Sequence, residues 1–120
     1  MDMSQIFGNL LSNALKFLVP DRHGSIIVGA GEDERTVTFF VRDNGRGMSE
    51  EDIPRAFEIF QRVGERTVEG EGMGLAYVRT RVRRQGGQIW CDSKPGEGTT
   101  FRFTVPKTPV ENEHLEGLAA

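Results

Sequence analysis

At 120 residues, 37% of them hydrophobic and 28% charged, the chain has the size and balance of one soluble globular domain with a single core. A net charge of −3 supplies no bulk field favouring nucleic acid or an anionic membrane surface, and no apolar run reaches the length of a membrane span or forms a cleavable signal. The single cysteine, Cys91, excludes an internal disulfide, reads as a small buried hydrophobe in a strand and suits a reducing cytoplasm.

Residues 1–18 read as a helix, because Ile6, Leu10, Asn13, Ala14 and Phe17 recur at helical spacing and Pro20-Asp21 with Gly24 ends the run. Two β-rich stretches follow, Ser25–Ala30 and Thr36–Arg42, and the charged turn Glu32–Arg35 between them predicts an antiparallel hairpin. Asp43-Asn-Gly-Arg-Gly-Met48 breaks the second strand. Ser49, with Asp52 three residues on, reads as an N-cap opening a short helix through about Glu58. Residues 61–72 are polar, contain glycine and carry no apolar period, which predicts a loop. A second long helix runs from Met73 to about Gln85 and stops at Gly86-Gly87. Strands at Gln88–Ser93 and Thr99–Val105 flank the turn Lys94–Gly98, and a polar tail begins at Pro106. The order helix, hairpin, short helix, loop, helix, hairpin predicts a two-layer α/β sandwich, each long helix laying an apolar face on one side of the sheet.

Three clusters carry chemistry. Gly70, Gly72 and Gly74 alternate just before and into the second long helix, so backbone N–H groups and the helix's positive end could close around a polyphosphate. The spacing is neither that of a Rossmann loop nor, without a following Lys-Ser/Thr, that of a Walker loop. On the first helix Asn9, Asn13 and Lys16 share one face. Asparagine is a poor helix former, so the face is either solvated or built for oxygen ligation of Mg²⁺ with Lys16 neutralising phosphate. Asp43, at a strand end, is either an ordinary turn residue or an acceptor for the exocyclic amino group of adenine, where guanine presents a carbonyl that a carboxylate repels.

Together these segments resemble the boxes of sensor histidine kinase catalytic domains. Asn9-Leu-Leu-Ser-Asn13-Ala-Leu-Lys16-Phe17 is similar to the asparagine box, Asp43-Asn-Gly45-Arg-Gly47-Met48 to the first glycine box, and Phe57-Glu-Ile-Phe60 to the phenylalanine box. Gly70-Glu-Gly72-Met73-Gly74-Leu75-Ala resembles the second glycine box, and residues 87–106 resemble the closing strands. The resemblance covers nearly residues 5–106 in the family's order. It implies the Bergerat ATP-binding fold, with a mixed sheet of about five strands covered on one side by about three helices, as one domain over 1–106 with a tail at 107–120. It also implies that a strand normally precedes the first helix, so that one sheet edge is exposed in this chain.

By the same resemblance Asp43 binds the adenine amino group with Gly47 shaping the base pocket, Thr100 borders that pocket, and Asn13 coordinates Mg²⁺ with Asn9 assisting. Lys16 and Arg62 meet phosphate, while Gly70, Gly72 and Gly74 let a lid close. Gly45, Met48, Met73 and Leu75 belong to the nucleotide site as members of the two glycine boxes, and Phe57 and Phe60 anchor the lid hinge or the core. ATP-hydrolysing branches of the superfamily place a glutamate four residues before the metal asparagine; the amide of Asn9 stands there and cannot act as a general base. The implied activity is therefore transfer of the ATP γ-phosphoryl group to a histidine on a separate dimerisation domain, with a response-regulator receiver downstream. His23 and His114 read as surface residues rather than that acceptor. A cytoplasmic domain without direct membrane or nucleic-acid contact follows, compatible with a membrane-anchored parent protein. The alternatives are a serine kinase of the anti-sigma type and a degenerate nucleotide-binding regulatory module.

Overall fold

A computed structural model of the chain describes residues 3–57 and 71–107. Most of the expected loop at 61–72, and the tail from 108 onward, fall outside the described residues. Helix α1 (Ser4–Lys16) buries Ile6, Leu10 and Ala14, one residue per turn on a single stripe, and leaves Asn9 and Asn13 half-buried beside it. Strands β1 (Ile26–Glu32) and β2 (Thr36–Asp43) form the expected hairpin. The Asp33 carboxylate closes its turn by accepting the N–H groups of Arg35 and Thr36 at 2.8 and 2.7 Å, which lowers that carboxyl's pKa.

Helix α2 (Asp52–Ala56) begins two residues later than the cap reading placed it, with Glu51 rather than Ser49 at the N-cap. Ser49 nevertheless receives the Asp52 N–H on both its carbonyl, at 3.0 Å, and its hydroxyl, at 3.3 Å. Helix α3 runs Glu71–Arg84 and ends in a Schellman motif, Gly87 N–H donating to Val82 O and Gly86 N–H to Arg83 O, both at 3.0 Å. Strands β3 (Ile89–Lys94) and β4 (Gly98–Pro106) complete the chain's second hairpin.

The sheet order is β1-β2-β4-β3, and every neighbouring pair is antiparallel. The expectation of a mixed sheet of about five strands is corrected here: among the described residues there are four strands and no parallel pair. The topology explains this. The helical connection from β2 to β3 does cross over to a strand of the same direction, but β4 turns back from β3 and takes the place between them. The expectation of about three helices on one side holds for the described residues, since α1 packs on β1 and β2 while α3 packs on β3 and β4.

Alternation along β4 sorts the two faces. Thr99, Phe101 and Phe103 are buried beneath the helices, whereas Thr100, Arg102 and Thr104 stand on the helix-free face. Phe103 is fully enclosed at the centre of the core, edge-on to Phe7 and stacked on Phe39, with both ring centroids 5.3 Å away. Truncating Phe103→Ala should lower unfolding free energy by about 3–5 kcal/mol in a urea titration; a loss below about 1 kcal/mol would show that helices and sheet do not share this core.

Candidate functional site

Asp43 is the last residue of β2 and is 95% buried, which for a carboxylate demands compensation. Two backbone donors supply it: the Gly45 N–H at 2.8 Å from Oδ1, and the N–H of Thr99, the residue directly opposite in the β2–β4 ladder. Burial still dominates, and the Asp43 pKa is raised above the ordinary carboxylate value despite those two bonds. A buried acceptor held in position by main-chain N–H groups, with part of its capacity left over, is suited to take a hydrogen bond from a ligand.

The turn after Asp43 is fastened on both sides. Toward α1, Arg46 N–H donates to Phe17 O at 3.0 Å and the Arg46 guanidinium lies 4.4 Å from the centre of the Phe17 ring. Asn44 ties the turn to the segment before β1, accepting Ser25 N–H on Oδ1 and donating from Nδ2 to His23 O, each at 2.8 Å. Toward the β3–β4 turn, Gly96 N–H donates to Arg46 O and Met48 N–H to Ser93 Oγ, each at 2.7 Å. Two glycines make that approach possible. Gly47 (φ 72°) and Gly98 (φ 122°) take backbone conformations other residues rarely adopt, and a Cβ on them would lie 2.0 Å from Lys94 O and 2.1 Å from Asp43 O.

The end of β2, α2 and the β3–β4 hairpin line an open cleft of about 420 Å³. Asp43 and Thr99 are among its walls, with Ile53 of α2 and Cys91, Ser93 and Lys94 of β3. The volume leaves ample room for a nucleobase, and the lining, which also includes the charged Arg42, Glu50, Asp92 and Glu97, offers polar contacts. Cys91 contributes a neutral wall: burial, aided by the neighbouring Asp92 charge, pushes its thiol up to about 11.

The residues singled out in the sequence distribute unevenly around this cavity. Asp43 lines it, Gly45 holds the Asp43 carboxylate, and Met48 is fixed by Ser93 while its side chain packs against the core. Thr100 borders the cavity, yet its hydroxyl stands on the opposite face and accepts from Arg42 Nε at 3.3 Å. The hydroxyl on the Asp43 face is that of Thr99. Leu75 is buried in the core and Phe57 packs edge-on to Phe101 at 5.9 Å, so both serve packing.

Asn9 and Gly74 come together elsewhere, where α1 meets α3, and Asn13 and Lys16 follow Asn9 along α1. Asn9 Oδ1 lies 3.6 Å from where a Cβ on Gly74 would sit, so the amide oxygen faces the first turn of α3. That turn corrects the expectation of a loop through residue 72: Glu71 and Gly72 already belong to the helix, which is described from Glu71. Helical hydrogen bonding is thus continued two residues further than the lack of an apolar period suggested. Arg62, Gly70 and Phe60 lie outside the described residues. Thr99 and Ser93 escaped the sequence reading, although the in–out alternation of Thr99-Thr100-Phe101-Arg102-Phe103 places Thr99, not Thr100, on the inward face.

The family profile described as "Histidine kinase-, DNA gyrase B-, and HSP90-like ATPase" matches residues 1–109. The chain is similar to the sensor histidine kinase WalK of Bacillus subtilis, with 36% identity over 107 residues that make up 87% of this chain and 18% of that protein. It is also similar to cyanobacterial phytochrome A of Nostoc, with 40% identity over 116 residues, 96% of this chain and 15% of that one. It therefore spans less than a fifth of the length of these relatives. Among solved structures, the mycobacterial sensor histidine kinase MprB matches with a TM-score of 0.72 at 28% identity, covering 88% of this chain and 72% of that chain. Full-length ShkA in complex with AMPPNP matches at 0.71 and 31%, covering 85% and 20%.

The raised Asp43 pKa has a signed consequence for stability. Below the ordinary aspartate value of 3.8 the carboxyl is protonated folded or unfolded and costs nothing; as pH rises through the folded-state value, the buried ion forms and stability falls. Asp43→Asn cannot ionise. The variant should therefore gain on the wild type as pH climbs from about 3.5 toward neutrality, read as the difference between their urea midpoints. A difference that is flat in pH would mean Asp43 is not desolvated.

Proposed function

Because the chain belongs to the histidine kinase-, DNA gyrase B- and HSP90-like ATPase family, as a catalytic ATP-binding domain of the sensor histidine kinase kind, we propose that it holds MgATP with adenine against Asp43 and passes the γ-phosphoryl group to a histidine on a separate dimerisation domain. The observation that carries this reading is the buried Asp43 carboxylate, held by two main-chain donors at the wall of a cleft with room for a nucleobase. An adenine amino group has protons to give such an acceptor; a guanine carbonyl at the same position is repelled by it.

The triphosphate then extends toward the α1–α3 seam, where Asn9, Asn13 and Lys16 share a helix face. The donor chemistry there fits Mg²⁺, a hard cation that takes oxygen ligands and keeps several waters and phosphate oxygens of its own. Among the described residues no group of three or more His, Cys, Asp or Glu could hold a metal. The amide oxygens of Asn13 and Asn9 would hold the cation, which would supply neutralisation of the phosphate charge. Lys16, with Arg62 and the glycines at 70, 72 and 74, completes the phosphate contacts in this reading.

In the transfer itself a histidine ring nitrogen attacks the γ-phosphorus, an N–P bond forms, the bond to the β–γ bridging oxygen breaks, and ADP departs with that oxygen. Such a step asks the enzyme for alignment and charge neutralisation more than for acid–base chemistry. Asn9 is consistent with this, since its amide cannot deprotonate a water, and transfer to another acceptor is favoured over hydrolysis. A receiver domain of a response regulator is the onward acceptor in the same reading.

Calorimetric titration with ATP and GTP, each with and without Mg²⁺, is the direct test. ATP should bind, more tightly with metal, and GTP should not; absence of ATP binding would overturn the reading. Asp43→Asn should lose a charged partner to a buried donor, about 1.5–3 kcal/mol or tenfold or more in ATP affinity, with the fold retained. Asn13→Ala should erase most of the Mg²⁺ enhancement while changing metal-free ATP binding far less; equal losses with and without metal would remove Asn13 from the metal site. Supplied with a histidine-bearing dimerisation domain, the chain should form an acid-labile phosphoprotein, whereas an acid-stable product would point to a serine kinase.

A further inference from the structure

Arg46, between the two glycines of the turn after β2, takes no role in the nucleotide reading, yet it stands where the two halves of the site join. The connection runs through main chain. At the C-terminal end of α1 the Phe17 N–H donates to Asn13 O at 3.2 Å, and Phe17 O accepts the Arg46 N–H at 3.0 Å. One residue back, the Gly45 N–H reaches Asp43 Oδ1 at 2.8 Å. The approach is close, since a Cβ on Gly45 would lie 2.3 Å from Phe17 O. Arg46 then lays its side chain over the same residue, with the guanidinium 4.4 Å from the centre of the Phe17 ring. A cation over an aromatic face attracts it, and one at the C-terminal end of a helix also suits the negative end of the dipole. That end of α1 needs a tie. Its buried stripe stops at Ala14, and residues 18–25, which lead from Phe17 to β1, form neither helix nor strand.

We infer that Arg46 is a positioning residue: by clamping Phe17 it holds the end of α1 that bears Asn13 and Lys16 at a fixed separation from Asp43. The inference rests on the nucleotide-site reading above and deepens it by naming what lets one ligand engage both halves at once. Two half-sites add their binding in full only where their separation already matches the ligand. Slack between them has to be removed on binding, and the entropy lost is subtracted from the affinity. A rigid link therefore strengthens only those ligands that are long enough to reach both ends. A nucleotide confined to the base half is indifferent to it, because Asp43 is held separately by the N–H groups of Gly45 and Thr99.

The test compares ATP in the presence of Mg²⁺ with AMP, which keeps the base and lacks the β- and γ-phosphates. Wild type, Arg46→Ala, Arg46→Lys, Phe17→Leu and the double variant are titrated by calorimetry with ATP, AMP is measured by competition against ATP, and thermal midpoints check folding. In Arg46→Ala the preference for ATP over AMP should fall by about threefold or more, the worth of an exposed cation–π contact, through ATP alone. Arg46→Lys, which keeps a cation over the ring, should recover part of it. Phe17→Leu should show the same loss, and adding Arg46→Ala to it should cost nothing further. Equal loss for both nucleotides, or no loss for either, would overturn the inference. So would a further loss on removing Arg46 in the Phe17→Leu background, since the guanidinium would then act on the phosphates directly. Failure of the wild type to bind ATP would overturn the nucleotide reading itself, and this inference with it; ATP binding no tighter than AMP would overturn the inference alone. Should Arg46→Ala unfold, Arg46→Met, which keeps the stem without the charge, is read in its place with the same outcomes.

Discussion

The site depends on one seam of backbone against backbone. Lys94 O lies where a Cβ of Gly47 would begin and Asp43 O where a Cβ of Gly98 would begin, so the turn after β2 and the β3–β4 turn touch main chain to main chain. No longer side chain fits there, and the positive φ of both residues would be strained in anything but glycine. From that contact follow the Gly96-to-Arg46 and Met48-to-Ser93 hydrogen bonds, the placement of Thr99 opposite Asp43, and the wall of the cleft beside α2. A substitution at either glycine would push the two turns apart and strain those hydrogen bonds together with the wall.

The same seam creates an energetic conflict. Closing it takes Asp43 out of water, and burial raises its pKa even though two N–H groups point at the carboxylate. A neutral amide in that place would be easier to bury. The fold therefore carries a group whose ionised form opposes folding, next to a cavity that it alone among the buried carboxyls of the described residues addresses. Local cost combined with unspent hydrogen-bonding capacity is the physical mark of a binding residue, because a ligand donor recovers what desolvation took away. Asp33 makes the contrast. It accepts two backbone N–H groups as well, but in full contact with solvent, and its pKa moves down rather than up.

Much of this was legible in the residues. The apolar spacing of Ile6, Leu10 and Ala14 located α1, the charged turn at 32–35 located the first hairpin, and Gly86-Gly87 located the end of α3 to within a residue. Asp43 stood out through its place in the resembled first glycine box, since a carboxylate in a strand-terminating turn is ordinary by itself. What stayed hidden was long-range. The placement of β4 between β2 and β3 depends on which hairpin edges meet, and local periodicity carries no record of that choice. Thr99 lost out to Thr100 because a motif names neighbours without saying which way they point, and strand alternation alone separates them. Ser93 matters through Met48, 45 residues away in sequence, and such a contact has no local signal at all.

The two halves of the site are also built on unlike foundations. The base end rests on strands and two pinned turns, where the Asp43 carboxylate is held by main chain and the cavity wall is already formed. The phosphate end rests on the meeting of α1 and α3, and the first turn of α3 contains Gly72 and Gly74. Each glycine in a helix costs about 1 kcal/mol relative to alanine, so this is the turn of α3 that is least expensive to rearrange. In the proposed reading a nucleotide meets a rigid edge that reads its base and a helix start that can be reshaped around its phosphates. Specificity belongs to the rigid half, since an adaptable surface would accommodate the wrong base as readily as the right one. Phosphates, which every nucleoside triphosphate shares, can be left to the half that adapts.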